Sequence, residues 1–404
     1  MFQDQIITVQ EREHRRVLPA YSLHLDLVRG LAALLVFVGH LRLIITGHTG
    51  AASASNGVGA ILHHPANATG LGHASVVIFF VLSGYLVGGS VLRDLGRNAF
   101  SWSKYAVRRL SRLWTVLIPC LLIGGSIDYL TSRWFANTQV FVSGEFTQEL
   151  HGFPGVLDFV KYLSFLQSID RLTTKPFGTN VALWSLSAEF WYYVLFPLLA
   201  AGILSRSRTK LFRVSLAVLT ACLMWFLGKS LMQYFPLWLC GVAAYLAPMK
   251  IPARIQKALI AGLVLQFCMV LYFCRAHEVD PLAADVFIAL SFTCLLYALL
   301  HRLESAGSSV YARIAHGLSF PSYTLYASHI PICIFLAAFF EARTPELFRH
   351  TYTVTALVFV LVLIYAGIMY MCFERNTDHV RRFLEDHFLT GHSAKRAAVA
   401  GLRA

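Results

Sequence analysis

An arginine and a histidine lie inside the first long apolar segment of the chain, residues 23–45. They are Arg29 and His40, which lie eleven positions apart. In a helix this separation is about three turns, so both side chains would share one helix face, about 16 Å apart. Ionisable groups are costly inside a membrane-spanning segment and mark reaction sites or transport pathways. Because an imidazole titrates near neutral pH, His40 suits general base catalysis.

Each of these two residues also has a structural explanation that requires no function. His40 could be a hydrogen-bonded packing residue, and Arg29 lies near enough to one end of the segment to extend its guanidinium to the membrane surface. Asp26 precedes Arg29 on nearly the same face and is its expected ion partner. We favour a functional site, because His40 lies too deep for the surface explanation.

Two further arginines enter the third apolar segment together. Arg109 and Arg112 are spaced i, i+3 at the end of the basic stretch 93–112. They could be an ordinary positive anchor on the cytoplasmic side of the membrane. Alternatively, because a guanidinium binds phosphate oxygens in pairs, they could clamp the phosphates of a ligand that approaches from the cytoplasm.

An acidic residue lies among aromatic residues at the start of another apolar segment, LWSLSAEFWYYVLFP, residues 183–197. Glu189 shares a helix face with Ser185, and Trp184 precedes them. An aromatic belt at the membrane surface explains the aromatic side chains, but it does not explain the carboxylate among them. We expect Glu189 to orient an imidazole or to bind a sugar hydroxyl.

Two more segments contain polar residues within apolar runs. In residues 322–331, SYTLYASHIP, Tyr326 and His329 occupy neighbouring positions on one helix face. The histidine is either a hydrogen-bonded interior residue beside a proline kink or a substrate contact. Residues 79–87, FFVLSGYLV, contain a serine–glycine pair that permits close helix packing, and we interpret that segment as structural, with lining of the cavity as the alternative.

The elements that carry all these residues are membrane helices. The chain has 404 residues, of which 57% are hydrophobic and 14% charged, with a mean hydropathy of +0.60. Soluble domains have about 25% charged residues. We therefore predict an all-α, polytopic integral membrane protein with about ten transmembrane helices. The ten candidate spans are 23–46, 71–92, 113–131, 181–204, 211–228, 231–248, 256–274, 282–303, 316–340 and 351–373.

The positive charge of the chain indicates its orientation. The net charge of +13 lies in short stretches between the apolar runs, which indicates cytoplasmic loops rather than nucleic-acid binding. Both termini are therefore expected in the cytoplasm, with a membrane domain over 1–373 and a basic, partly helical tail over 374–404. The polar N-terminus does not resemble a cleavable signal peptide, and the first apolar run is long enough to remain as a span.

Metal binding and disulfides are not expected. The eight cysteines lie in or beside apolar runs without a Cys-x-x-Cys pair, which favours packing residues. The outer segment 47–70 and its neighbourhood contain four histidines that could bind a metal, but no carboxylate or cysteine lies among them, so we interpret them as part of a polar loop. They are His48, His63, His64 and His73.

Five of these segments, in this order, resemble the acyltransferase-3 family of integral membrane acyltransferases over about residues 20–373. The family's opening pattern of an arginine, ten residues and a histidine is matched by Arg29 and His40. Its Arg-x-x-Arg element is matched by Arg109 and Arg112. Its "FFVLSGFL", "WSLSxE" and "SYxLYxxHxP" segments are matched by residues 79–86, 184–189 and 322–331.

The resemblance implies that an acyl group, commonly acetyl from acetyl-CoA, is transferred to a hydroxyl of a carbohydrate or lipid-linked glycan at the bacterial inner membrane. His40 would act as the base or carry the acyl group, and Glu189 would orient His40 or the acceptor. The donor phosphates would be held by Arg29, Arg109 and Arg112. Candidate substrate contacts are Trp184, Ser185, Tyr326 and His329.

The chain departs from the family in two places. Phe190 follows Glu189 where many members have a second acid, and residues 326–329 replace a bulkier aromatic run. These differences leave the acceptor undetermined. Some members carry an appended extracytoplasmic hydrolase-like domain that this sequence does not contain, so any second transfer step is expected to need a separate partner.

Two other functions compete with an acyltransferase. A transporter or flippase of a glycan or lipid-linked sugar would also have about ten spans and buried polar groups, but the sequence has no evident repeat and its basic residues gather at one face. A non-catalytic partner in glycan assembly would leave Arg29 and His40 dispensable. The acceptor glycan, the choice between acetyl and a relative such as succinyl, and the oligomeric state stay open.

Overall fold

The structure is a computed structural model, and it is helical with no β-strand in the residues that it describes. These are residues 20–46, 65–142, 146–147, 154–172, 176–204, 209–247, 251–277, 279–300 and 309–390. Three of the four histidines assigned to the outer polar loop, His48, His63 and His64, lie outside the described residues, and so does the end of the tail.

The described helices follow one another along the chain with short connections. They are α1 (Ala20–Thr46), α2 (Pro65–Ser83), α3 (Gly89–Gly96), α4 (Trp102–Trp134), α5 (Gln139–Val142), α6 (Val156–Leu163), α7 (Trp184–Leu204), α8 (Lys210–Leu227), α9 (Lys229–Met232), α10 (Phe235–Leu246), α11 (Ala253–Ala276), α12 (Pro281–Leu300), α13 (Ser309–Ser319), α14 (Ser322–Arg343), α15 (Pro345–Phe348), α16 (Thr351–Cys372) and α17 (Thr377–Glu385). A π-helical turn, Gly84–Gly88, joins α2 to α3.

Nine helical segments in the described part of the chain are long and apolar enough to cross a membrane. The predicted all-α polytopic fold is therefore confirmed. The difference from ten spans is the predicted segment 231–248, which is divided between α9 and the 12-residue α10. A helix of that length covers about 18 Å, whereas a bilayer core is about 30 Å thick.

The third span differs from its predicted bounds. Its helix, α4, begins at Trp102 and runs for 33 residues, whereas the sequence predicted a span over 113–131 preceded by a basic loop. Lysine and arginine are good helix formers, so the basic stretch continues the helix. Arg109 and Arg112 therefore lie on a rigid element.

Helix α1 lies at the centre of the packing. It contacts α2, α13 and α14, and it shares a hydrophobic core with α4, α7 and α16. By contrast α11 packs mainly on α12, and none of the residues in its most apolar stretch is buried. The polar residues of α1 thus face protein, whereas the outer surface of α11 is suited to lipid.

Two glycines let α2 and α10 approach closely. A Cβ at Gly84 would overlap the backbone carbonyl of Trp238, and a Cβ at Gly241 would overlap the carbonyl of Val81. The wider π-helical turn begins at this crossing, which directs the preceding residue, Ser83, toward α7. The predicted close packing at the serine–glycine pair is confirmed.

A buried carboxylate fixes the loop that leads into α7. Asp128 of α4 is 2% exposed and accepts hydrogen bonds of 2.8 Å from the backbone N–H and from the hydroxyl of Thr179. Gly178 has φ +62° and lies against this carboxylate, where a Cβ would overlap it. The next residue, Asn180, donates from Nδ2 to the carbonyl of Ala327 at 2.7 Å, so the loop is tied to α14 as well.

Candidate active site

Two histidines from different helices are in direct contact. His40 of α1 and His329 of α14 approach to 2.8 Å between Nδ1 and Nε2, and their rings are nearly parallel with centroids 5.1 Å apart. We call them the histidine pair. The sequence proposed both residues for the site, and the structure brings them together across 289 positions of chain.

The surroundings of His329 determine which nitrogens carry protons. Its Nδ1 lies 2.9 Å from the carbonyl oxygen of Leu325 and 3.0 Å from that of Tyr326, and a carbonyl can only accept. In the neutral ring Nδ1 is therefore protonated and Nε2 holds the lone pair. Nε2 accepts from the Nδ1–H of His40, which leaves Nε2 of His40 as the unprotonated nitrogen.

Helix α14 presents His329 through its own packing and capping. Its first turn is fixed by Glu374, which accepts hydrogen bonds from the backbone N–H and the hydroxyl of Thr324 at 3.1 and 2.5 Å. His329 is completely buried. The ring of Phe146 is nearly perpendicular to that of His40, with a centroid distance of 5.5 Å. Within the described residues, no hydrogen-bond partner occupies Nε2 of His40.

Arg29 is held at the other end of this face of α1. Its guanidinium donates to Asp26 at 3.2 Å and to the hydroxyl of Ser319, which in turn donates to Asp26 at 3.0 Å. The predicted ion pair with Asp26 is therefore present. Nε of Arg29 is buried and has no partner in the described part of the chain, so one donor remains available for a ligand.

A cavity of about 880 Å³, its open mouth included, adjoins Arg29. We call it the arginine cavity because three arginines from two helices line it together with one carboxylate and several hydroxyl groups. The polar lining residues are Arg29, Ser83, Arg109, Arg112, Ser185, Glu189, Tyr193, Ser322, Tyr323 and Tyr326. The sequence proposed six of these ten for the site.

Arg109 and Arg112 reach the cavity from α4 in different ways. Arg109 lies 5.5 Å from the ring centres of both Tyr105 and Tyr193 and donates to the hydroxyl of Ser90 at 3.3 Å. Its Nε is buried without a partner among the described residues, whereas Arg112 is exposed in the cavity. Unpaired guanidinium donors in a partly dry cavity suit an anionic ligand such as a phosphate.

Glu189 lies with the arginines and not with the histidine pair. Its carboxylate accepts a hydrogen bond from Ser83 at 2.9 Å and another from the hydroxyl of Tyr193. Ser83 is itself oriented by the indole N–H of Trp238 at 3.2 Å. The structure has no hydrogen bond between Glu189 and His40, and the partner of Nδ1 of His40 is His329 instead.

The four proposed substrate contacts divide between different surfaces. Ser185 and Tyr326 line the arginine cavity and are hydrogen-bonded to each other at 2.6 Å. His329 is one helical turn beyond Tyr326 and belongs to the histidine pair. Trp184, the first residue of α7, lines a second cavity.

Sequence reasoning assigned no role in the site to Ser83, Tyr193 or Trp238. Ser83 was interpreted as a packing residue in a segment that could also line the cavity, and Tyr193 as part of an aromatic belt, whereas Trp238 was not singled out. A serine flanked by bulky apolar residues, as in FFVLSGYL, is the signal that could have identified Ser83, because a hydroxyl in such a run needs a partner. His73, expected in a loop, lies on α2 and contacts Asp285 at 2.8 Å.

The sequence of this chain is similar to those of known proteins. Residues 23–371 match the family described as an acyltransferase domain, Acyl_transf_3. A Bacillus subtilis protein, YrhL, named provisionally as a peptidoglycan O-acetyltransferase, is 26% identical over 350 residues, covering 79% of this chain and 52% of that protein. The O-acetyltransferase OatA of Staphylococcus aureus is 25% identical over 315 residues, covering 70% of this chain and 50% of OatA.

A third relative matches a shorter region. The O-acetyl transferase of Shigella phage Sf6 is 27% identical over 127 residues, which are 31% of this chain and 33% of the phage protein. The chain thus spans about half the length of YrhL and OatA and a third of the phage protein. No solved structure matches this chain.

Proposed function

The chain belongs to the acyltransferase-3 family, and on this basis we propose that it transfers an acyl group, most simply acetyl, from acyl-CoA to a hydroxyl group of a carbohydrate. The relatives named as O-acetyltransferases support the reaction class. The single observation that carries the proposal is the histidine pair, because it leaves one imidazole nitrogen unprotonated within a membrane helix bundle.

His40 is proposed to act as the general base. Its Nε2 accepts the proton of the acceptor hydroxyl as that oxygen attacks the acyl carbon, and the positive charge that develops on the ring is stabilised by the hydrogen bond from Nδ1 to His329. As the new ester forms, the C–S bond of the thioester breaks, and the departing coenzyme A thiolate takes the proton from Nε2 of His40. His329 is a positioning residue, because its Nδ1–H is tied to backbone carbonyls and its Nε2 fixes the tautomer of His40. Attack by Nε2 on the acyl carbon itself is the second route that this geometry permits.

The arginine cavity is proposed to hold the acyl donor. Its unpaired donors, Nε of Arg29 and of Arg109, and the exposed guanidinium of Arg112 fit the phosphate groups of coenzyme A. The bound donor supplies an acyl group activated as a thioester. Tyr326 lines the cavity, and α14 continues from it by one turn to His329, which is the direction in which the acyl end would extend.

Glu189 is proposed to bind and position substrate and not to orient His40. Its carboxylate is held by Ser83 and Tyr193 and provides one negative charge among three arginines. An acceptor of hydrogen bonds at this point suits an N–H or O–H group of a ligand that already has its phosphates on the arginines.

The orientation of the chain is also part of the proposal. Basic residues gather at the end of the bundle where α1 begins, so both termini are proposed to be cytoplasmic, in the bacterial inner membrane. The arginine cavity then faces the cytoplasm, where acyl-CoA is made. His40 lies about 16 Å farther along α1, toward the opposite side.

Purified protein supplied with radiolabelled acetyl-CoA tests this function. We expect acetyl-CoA to bind, free thiol to be released and label to appear in a carbohydrate acceptor. A transporter or flippase would release no thiol, and family membership already disfavours that alternative. Absence of thiol release with several acceptor polysaccharides and acyl-CoA donors would overturn the proposal.

A further inference from the structure

A second cavity opens on the side of the molecule away from the arginines. It encloses about 1320 Å³, with its open mouth included, and we call it the aromatic cavity. Its walls include Trp184, Tyr234, Tyr162, His73, Gln167 and Asp170. No arginine or lysine side chain belongs to its described lining, in contrast to the three arginines of the arginine cavity.

The two cavities adjoin each other. Trp184 faces the aromatic cavity, whereas the next residue, Ser185, lines the arginine cavity. Along α2, His73 and Ser83 belong to different cavities and are about 15 Å apart. A ligand in the aromatic cavity would therefore approach the membrane-embedded site from the side opposite to the proposed donor.

Aromatic rings form a platform in the wall of this cavity. The rings of His73 and Trp184 are nearly parallel, with centroids 6.3 Å apart, and Trp184 and Tyr234 have centroids 5.2 Å apart. His73 is fixed from behind by Asp285 at 2.8 Å. The face of an aromatic ring is electron-rich and attracts the positively polarised C–H groups of a sugar ring, which is flat enough to stack on it.

Two buried amides, one in the cavity lining and one next to a lining residue in the chain, have acceptor oxygens without a partner among the described residues. Nε2 of Gln167 donates to the carbonyl of Leu183 at 3.2 Å, which identifies Oε1 as the atom without a partner in the described chain. Asn180, next to the lining residue Val181, likewise donates from Nδ2 to Ala327 and leaves Oδ1 unpaired. Both side chains are 2% exposed. A ligand rich in hydroxyl groups would satisfy such acceptors.

A carboxylate at the rim adds a further acceptor. Asp170 accepts from the backbone N–H of Ser230 at 3.1 Å, and hydrogen bonding by Ser230 holds the pKa of this carboxyl below its usual range. It is therefore ionised and can only accept hydrogen bonds at neutral pH. Acceptor oxygens, aromatic faces and a described lining without lysine or arginine favour an uncharged, hydroxyl-rich ligand over an anion.

We propose that the aromatic cavity binds the acceptor carbohydrate, with a sugar ring stacked on Trp184 and Tyr234 and with Gln167 accepting from a sugar hydroxyl. This proposal rests on the acyltransferase function proposed above. It deepens that function by assigning the acceptor a site distinct from that of the donor.

The test uses two variants, each with a matched control. Tyr234→Ala removes part of the platform, and Tyr272→Ala removes a tyrosine that is 65% exposed on α11. Gln167→Leu removes the unpaired amide, and Gln256→Leu removes a buried amide that donates to the carbonyl of Ala298 at 3.3 Å, remote from the cavity. Thermal midpoints of the four purified proteins identify any that are misfolded.

The probe is surface polysaccharide extracted from the source organism and freed of its esters by mild alkali. Its binding to the purified full chain is measured at equilibrium, and transfer from acetyl-CoA is measured separately. We expect Tyr234→Ala and Gln167→Leu to weaken polysaccharide binding and to raise the acceptor KM by about tenfold, with donor affinity unchanged, and the control variants to behave as wild type.

The outcomes separate the two proposals. Wild-type polysaccharide binding in both cavity variants, or no binding to the unaltered protein, would overturn the assignment of the aromatic cavity. Polysaccharide binding that is lost in the variants of a protein that releases no thiol from acetyl-CoA would support the cavity and overturn the acyltransferase function.

Discussion

Nδ1 of His40 lies 2.8 Å from Nε2 of His329, although the two residues are 289 positions apart in the chain. The contact joins the first long helix to α14 and makes His329 the partner that orients the proposed base. A histidine that serves this purpose supplies an acceptor without adding a formal charge, which matters in a buried setting where an unpaired charge is costly.

The role of His329 can be separated from simple packing. His329→Leu removes the acceptor for Nδ1 of His40, and we expect kcat to fall about a hundredfold with the KM for acetyl-CoA unchanged. His329→Gln keeps a side-chain oxygen that can accept this hydrogen bond and should recover part of the lost kcat. Steady-state kinetics of the two purified variants provide the comparison, and equal kcat values for both would indicate a structural role only.

The arginines should control affinity for the donor. Arg109→Ala and Arg112→Ala each remove a guanidinium from the arginine cavity, and we expect the dissociation constant of acetyl-CoA to rise by about tenfold or more, because charge-assisted hydrogen bonds contribute about 1.5–3 kcal/mol. Isothermal titration measures the change. Arg108→Ala is the control, since Arg108 on the same helix is 54% exposed and lies 4.0 Å from Glu385. Unchanged donor affinity in both cavity variants would exclude the phosphate clamp.

The position of Glu189 leads to a different kinetic signature. Glu189→Gln keeps the size of the side chain and removes its charge, and we expect substrate KM values to change severalfold more than kcat, since the carboxylate contacts Ser83 and Tyr193 and not the histidine pair. Ser83→Ala should produce a smaller change in the same direction. A loss confined to kcat would instead indicate that Glu189 takes part in proton transfer.

The crossing of α2 and α10 should be sensitive to a single methyl group. In Gly84→Ala the new Cβ overlaps the carbonyl of Trp238, and overpacking of this kind costs about 1–3 kcal/mol. We expect a lower thermal midpoint in detergent. Gly96→Ala is the control, because its Cβ would meet no atom within 4 Å. Equal midpoints for the two variants would contradict the close approach.

The sequence predicted the helical class, most of the spans and six of the ten polar residues that line the arginine cavity, because each depends on hydropathy or on costly groups in apolar runs. The division of the segment 231–248 into two helices was not predictable, since its sequence is apolar over the whole of α10. The 12-residue length of α10 and its close packing against Gly84 are evident only in the structure. The sequence predicted the third span to begin at residue 113, although α4 begins at Trp102, because a basic stretch is compatible with either a loop or a helix.

The partners of individual side chains could not be predicted from the sequence either, because they depend on how the helices pack. Glu189 was expected to contact either an imidazole or an acceptor. Tyr193 is one turn away on the same helix, whereas only the packing of α7 against α2 brings Ser83 to the same carboxylate oxygen. Likewise, Trp184 and Ser185 are neighbours in the chain, yet they line different cavities because successive helical positions are about 100° apart.

The central claim is that His40 is the base for acyl transfer, and the variant His40→Gln tests it most directly. Its amide N–H can still donate to His329, so the helix contact is kept while the basic nitrogen is lost. Acetyl groups on the surface glycan are quantified by mass spectrometry in cells lacking the wild-type gene, with membrane abundance measured in parallel. We predict normal abundance and a loss of glycan acetylation on the order of a hundredfold or more. Acetylation at the wild-type level in this variant would contradict the account.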